Sequence, residues 1–258
     1  MVFMIRYYAN EEEENGEIID MKCPIYCDLD MKLDVLQVKY IIGEMEKMQA
    51  IVKHIVSDQC GGNVGFYNQL GISPSKPYIM SPTVEDRKIY VFNDITHVAK
   101  NLCWAVMDRA ALMRSGYFIS KEDWQDLLKK TQSEVSRGYK LTQFDLDCRG
   151  SSRMDATPFY RIFSTTTVAL FRLHFWDDPQ KLAVADFIEI VLNAVHVLQS
   201  RVIEDEKIPL KSAYRFHLQE QEKATDLFIA EVKGLKFYTK GCMTFQIFSP
   251  LKSGKHYL

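Results

Sequence analysis

The segment Ile55-Val56-Ser57-Asp58 sets the tightest limit on what this chain can fold into. It is a short apolar run that ends on a carboxylate. The turn-rich Gln59-Cys60-Gly61-Gly62-Asn63 follows, and an amphipathic stretch begins after it. A buried strand that delivers an acidic residue to the carboxyl edge of a sheet has this form, and open α/β sheets present functional groups at that edge. A carboxylate there suits a hard cation such as magnesium. The same carboxylate also suits a cap for the helix that follows, accepting its free N–H groups. Position alone leaves both roles open.

The surrounding pattern predicts the sheet to which such a strand belongs. Val2-Phe3-Met4-Ile5 is an apolar β-type run directly after Met1, so the chain begins inside a strand and a preceding segment is expected to be missing. Glu11 to Glu14 with Asn15-Gly16 read as a solvated turn, and Pro24-Ile25-Tyr26-Cys27 as the next strand. Leu33, Leu36, Tyr40, Ile41, Met45 and Met48 have helical spacing. Val52 to Val56 is a buried strand, Val64 to Leu70 a short helix ending near Gly71, Ile89 to Phe92 a strand, and 96–113 a helix. Ser73-Pro74 and Ser81-Pro82 mark loops. This order of strands and helices defines an α/β domain.

Beyond residue 118 the strand signals largely disappear. Residues 121–132, 157–175, 180–201 and 214–234 read as helices, with Pro158 in a first turn and Pro179 and Pro209 at breaks. The expected organisation is an α/β part over 1–118 and an α-helical part over 119–250.

Composition narrows the class. Of 258 residues, 47% are hydrophobic, enough for a sizeable core and too many for a disordered chain. A net charge of -2 lacks the basic excess of a free-standing DNA-binding domain. The six cysteines form no C-x2-C pair, which fits a reducing compartment and argues against a zinc framework. No signal peptide or run of 18 apolar residues occurs, so a soluble, intracellular protein of cytosol or nucleus is expected. There is no G-x-x-x-x-G-K-[ST] segment, which excludes a P-loop.

Four ordered segments carry a family resemblance: Val2 to Arg6, Cys23-Pro24-Ile25-Tyr26, Ile55 to Asn63, and Asp94-Ile95-Thr96-His97-Val98-Ala99-Lys100-Asn101. They resemble the VFM-type strand, the KxPI-type strand, the strand ending in DxxxxN and the D-x-x-H-x-x-K-N segment of P-element-type (THAP-type) DNA transposases. Further along, Trp124 with Tyr139-Lys140-Leu141-Thr142 resembles a W…KLT segment, and Phe163-Ser164-Thr165-Thr166-Thr167 an FS-x-T-T helix. Phe187-Ile188 and Leu198-Gln199-Ser200-Arg201 resemble an FI…FD-x-LNSR helix. The resemblance covers roughly residues 1–205.

It implies an RNase H-like domain interrupted by an α-helical insertion that binds GTP. It also implies a three-carboxylate site holding two magnesium ions, which cleave a DNA phosphodiester and transfer its strand. Asp58 takes the place of the second carboxylate, as catalytic residue and metal ligand. The first Asp is expected ahead of Val2 and the last Glu beyond Leu258, so the chain reads as truncated at both ends and not catalytic alone. Asp28, Asp30 and Asp94 also follow strands and are candidate substitute carboxylates.

For GTP, Lys140 matches a family lysine suited to phosphate. A second family lysine becomes Asp155, and Val195, His196 and Gln199 replace Phe, Asp and Asn in the FD-x-LN segment. With Lys140, His196 and Gln199 as the candidate nucleotide contacts, affinity is expected to be weak or absent. His97 and Lys100 are expected at the rim of the active-site face with Asp94 capping their helix, and Phe171, Phe175 and Trp176 in the core. The implied partners are transposon-end DNA and possibly a second copy of the chain, and the implied location is the nucleus. The alternative is a domesticated module that binds a protein or nucleotide.

Overall fold

The computed structural model describes residues 2–9, 19–27, 34–57, 61–132, 140–199, 204–239 and 242–247. The chain forms two compact units, 1–92 and 93–258. The boundary expected near residue 118 falls within the second.

The first unit opens with β1 (Val2–Ala9) and β2 (Ile19–Cys27), which pair antiparallel with Phe3 opposite Tyr26 and a bulge between Phe3 and Met4. Next come α1 (Val35–Lys47), β3 (His54–Ser57), α2 (Gly61–Gln69), β4 (Tyr78–Met80) and β5 (Lys88–Asn93). The last three strands form a sheet in the order β3-β5-β4, with β4 and β5 antiparallel.

Strand β5 alternates strictly. Ile89 and Val91 are buried against Val38 and Ile42 of α1, Phe66 and Tyr67 of α2, and Ile79 of β4. Tyr90 and Phe92 point the other way and are 43% and 51% exposed. Aromatic side chains line that outer face: Tyr90 stacks on Phe92 and meets Tyr78 edge-on, and Lys88 Nζ lies 4.5 Å from the Tyr78 ring.

The second unit begins with α3 (Ile95–Asp108), followed by the two-residue strands β6 (Ala111–Leu112) and β7 (Phe118–Ile119). The turn between them closes with Met113 N–H on Tyr117 O at 2.9 Å and needs φ of 86° at Gly116. Helices α4 (Lys121–Gln132), α5 (Gln143–Leu146), α6 (Thr157–Ile162), α7 (Thr165–His174), α8 (Pro179–Leu198) and α9 (Leu218–Gly234) come next. The chain then returns through β8 (Lys236–Thr239) and β9 (Cys242–Ile247), giving a sheet in the order β7-β6-β8-β9.

Helix α8 is the axis of this unit. Asp178 caps it, accepting Gln180 N–H at 2.9 Å, and Pro179 occupies the first turn, where its missing donor is not needed. Its buried stripe includes Val184, Ile188, Val191 and Val195. Trp124 of α4 is fully buried between Phe163 and Phe171, and its indole N–H donates to Ile162 O at 3.1 Å.

Three expectations are corrected. The helix over 96–113 stops at Asp108, because Ala111 and Leu112 pair with Phe118, Ile119, Lys236 and Phe237. The region beyond 118 is therefore helical with a small sheet, not all-helical. The helix over 157–175 is two helices. Ser164 turns its hydroxyl onto Thr167 N–H at 3.0 Å and starts α7 afresh.

Candidate functional site

Asp58, the residue on which the sequence placed metal binding and catalysis, lies outside the described residues, as do Asp28 and Asp30. The described residues before it end with β3. Ser57, the last residue of β3, bonds through its hydroxyl to Tyr67 OH on α2, and Tyr67 OH also reaches Phe92 O at 3.3 Å. Tyr67 is buried, so the carboxyl end of β3 is tied to a helix and to the end of β5 by one phenol. Among the described residues, no three His, Cys, Asp or Glu side chains gather as a metal site.

Asp94 caps α3 as expected. One carboxylate oxygen accepts Thr96 N–H at 2.8 Å, and the other pairs with His97 Nδ1 at 3.0 Å. Partial burial pushes its pKa upward, but the bonds from His97 and from Thr96 N–H outweigh this and hold the carboxyl below its ordinary value. A carboxylate so engaged caps the helix with both of its oxygens. Lys100, expected at a rim, is instead 6% exposed, and its ammonium donates to Met154 O at 3.0 Å. That bond ties α3 to the 3-10 turn Gly150–Met154.

The candidate nucleotide contacts Lys140, His196 and Gln199 lie within the described residues. Lys140 is exposed, two residues before Thr142, whose capping box with Asp145 starts α5. His196 lies in the last turn of α8 and is half-buried. Burial, helped by Lys211 and opposed by Asp205, lowers its pKa and favours neutral imidazole. Val195 beside it is buried in the core.

Gln199 follows α8, and its Nε2 donates to Thr96 Oγ1 at 2.7 Å and to Tyr160 OH at 3.1 Å. Asp155 precedes α6, where Oδ1 accepts Thr157 N–H at 2.9 Å and Thr157 Oγ1 at 2.8 Å. The structure thus joins Gln199 to the first turn of α3 and to α6, a link that sequence reading missed. The expected aromatic core group is divided: Phe171 is fully buried and Phe175 packs against the core, but Trp176 is 74% exposed. No described helix is long and apolar enough to cross a membrane.

This mixed α/β architecture with small sheets has the fold of a transposase. A chain of the Drosophila P element transposase strand transfer complex matches it with a TM-score of 0.80 at 20% identity, covering 98% of this chain and 61% of that one. In sequence, the chain is homologous to the Transposable element P transposase of Drosophila melanogaster, at 24% identity over 197 residues. That alignment takes in 75% of this chain and 26% of the relative, so the chain spans about a quarter of the length of the curated protein it matches. No protein-family model matches.

Proposed function

We propose that this chain is a portion of a P-element-type DNA transposase, related to DNA cleavage and strand transfer but not catalytic by itself. The observation that carries this reading is the agreement of fold along nearly the whole chain. In the proposed layout, residues 1–118 form a partial RNase H-like domain and residues 119–250 a GTP-binding-type helical insertion. Transposon-end DNA is the partner, the nucleus the place of action, and a homo-oligomer the working form.

Asp58, directly after β3, is the proposed catalytic carboxylate and magnesium ligand, because a hard dication prefers anionic oxygen. Asp58 would be one of the residues holding magnesium, which would supply charge stabilisation for phosphoryl transfer. One carboxylate does not fix two such ions, and Asp94 is committed to His97 and Thr96. Cleavage by this chain therefore requires further acids. For GTP the donor set fits poorly: Asp155 is a carboxylate held below its ordinary pKa by its bonds from Thr157, His196 favours its neutral form, and both amide hydrogens of Gln199 are in use.

The test is selection of genomic duplex fragments on the full chain, followed by sequencing. Recovery of a recurring terminal repeat, without cleavage in magnesium, is expected. Recovery of nothing above bulk DNA would sink the reading. Should the recovered ends be nicked in magnesium, Asp58→Asn must abolish the nicking for the assigned role to stand. The net charge of -2 favours a second reading, a domesticated module, since a chain with no basic excess neutralises few phosphates. On that reading the DNA selection comes back empty and the chain instead captures a defined protein partner.

A further inference from the structure

We propose that the corner to which the resemblance assigns a nucleotide is closed by the protein's own side chains, with Gln199 clasping the end of α8 to α3 and α6 so that the helical unit holds its shape without GTP. The inference rests on the P-element reading, because that reading brings a nucleotide to these positions.

The clasp is a matter of counting donors. A glutamine amide nitrogen carries two hydrogens. One goes to Thr96 Oγ1 at 2.7 Å and the other to Tyr160 OH at 3.1 Å, so the nitrogen is saturated. Thr96 is itself fixed, its N–H held by the Asp94 cap at 2.8 Å. Offering the amide N–H groups to a base would break both bonds and leave two side chains to find water.

The neighbouring substitutions work in the same direction. Asp155 puts a negative charge where the resemblance expects a lysine, and its two bonds to Thr157 keep it at the start of α6, so it repels phosphate without swinging away. Neutral His196 presents one acceptor nitrogen where a carboxylate would accept two guanine N–H groups. Val195 supplies no ring to stack on a base and is buried in the core. A site built on hydrogen bonds loses discrimination steeply as its partners are withdrawn or committed elsewhere.

The test uses the full chain, with thermal melting and titration calorimetry in magnesium, with and without GTP. Gln199→Ala removes both clasp bonds, and Tyr160→Phe removes one. The expected result is no GTP-dependent shift in the wild-type midpoint, a fall of about 3 °C in Gln199→Ala without nucleotide, and a smaller fall in Tyr160→Phe. A rise in the wild-type midpoint with GTP, or an unchanged midpoint in Gln199→Ala, would overturn the clasp. The DNA selection reports separately on the parent reading. A chain that selects transposon ends and is stabilised by GTP keeps that reading and loses this one, whereas a chain that ignores both ligands yet melts earlier as Gln199→Ala loses the parent and, with it, the claim that the clasp stands in a nucleotide's place, keeping only the bonds themselves.

Discussion

Replacing Lys181 by Met tests how the second unit is held together. Lys181 sits in the first turn of α8 and reaches across to α4, with Nζ 2.9 Å from Asp123 Oδ1 and 2.9 Å from Asp126 Oδ2. The two acids differ in surroundings: the Asp123 side chain is 3% exposed and that of Asp126 42%. Methionine keeps most of the stem, so packing beside Phe175 is largely conserved and the change is mainly electrostatic. Asp123 then stays buried and keeps the bond from Ser120 N–H, at 2.8 Å, while Asp126 rehydrates.

Removing one member of a buried pair costs about 3–5 kcal/mol. The exposure of Asp126 and the surviving Ser120 bond place this case at the low end, about 3 kcal/mol. For a domain of this size that is a fall in melting temperature of roughly 6–12 °C. Thermal and urea unfolding followed by circular dichroism measure it. Adding Asp123→Asn removes the stranded charge and should recover more than about 1 kcal/mol. A loss below about 1 kcal/mol for Lys181→Met, or a further loss on adding Asp123→Asn, would show that the ion pair is not what joins α4 to α8.

Two further outcomes follow from the same unit. Trp124→Ala empties the fully buried space between Phe163 and Phe171 and strands Ile162 O, so a loss of about 4 kcal/mol is expected by urea titration. The Lys181 hydrogen bond, against an upward push from burial, holds the Asp126 carboxyl below its ordinary range. Its contribution is therefore complete above the unfolded pKa of about 3.9 and is lost as pH falls through the lower folded value. Asp126→Asn should accordingly flatten the acid limb of the stability curve and leave the alkaline side unchanged.

Residues with local partners were legible in the sequence. Asp94 as the cap of α3 and the strand Lys88–Asn93 follow from patterns within a few residues, whereas β3 was placed but misjudged: expected as a buried strand over Val52 to Val56, it runs from His54 to Ser57 with no buried residue, and Val56 is 55% exposed. Strands β6 and β7 are two residues each, too short for an alternation to register. The break between α6 and α7 was readable in principle, since Ser164 and Thr167 have cap spacing, but the apolar period runs on through it. Gln199 was beyond reach for another reason: its partners lie 39 and 103 residues away in sequence. Lys100 misled because a lysine is ordinarily solvated, and nothing local announces that Met154 O will receive its ammonium.

The pairing of β6 with β8 sets Ala111 beside Phe237 and Leu112 beside Lys236. Paired antiparallel strands hold facing Cα atoms about 4.5–5.5 Å apart. Everything from α4 to α9 therefore departs from, and comes home to, a single doorstep. Because Ala111 and Phe237 share one core with Leu102 of α3, Trp124 of α4 and Val184 of α8, the paired strands act as the latch of that core: parting β6 from β8 would open the unit at its base.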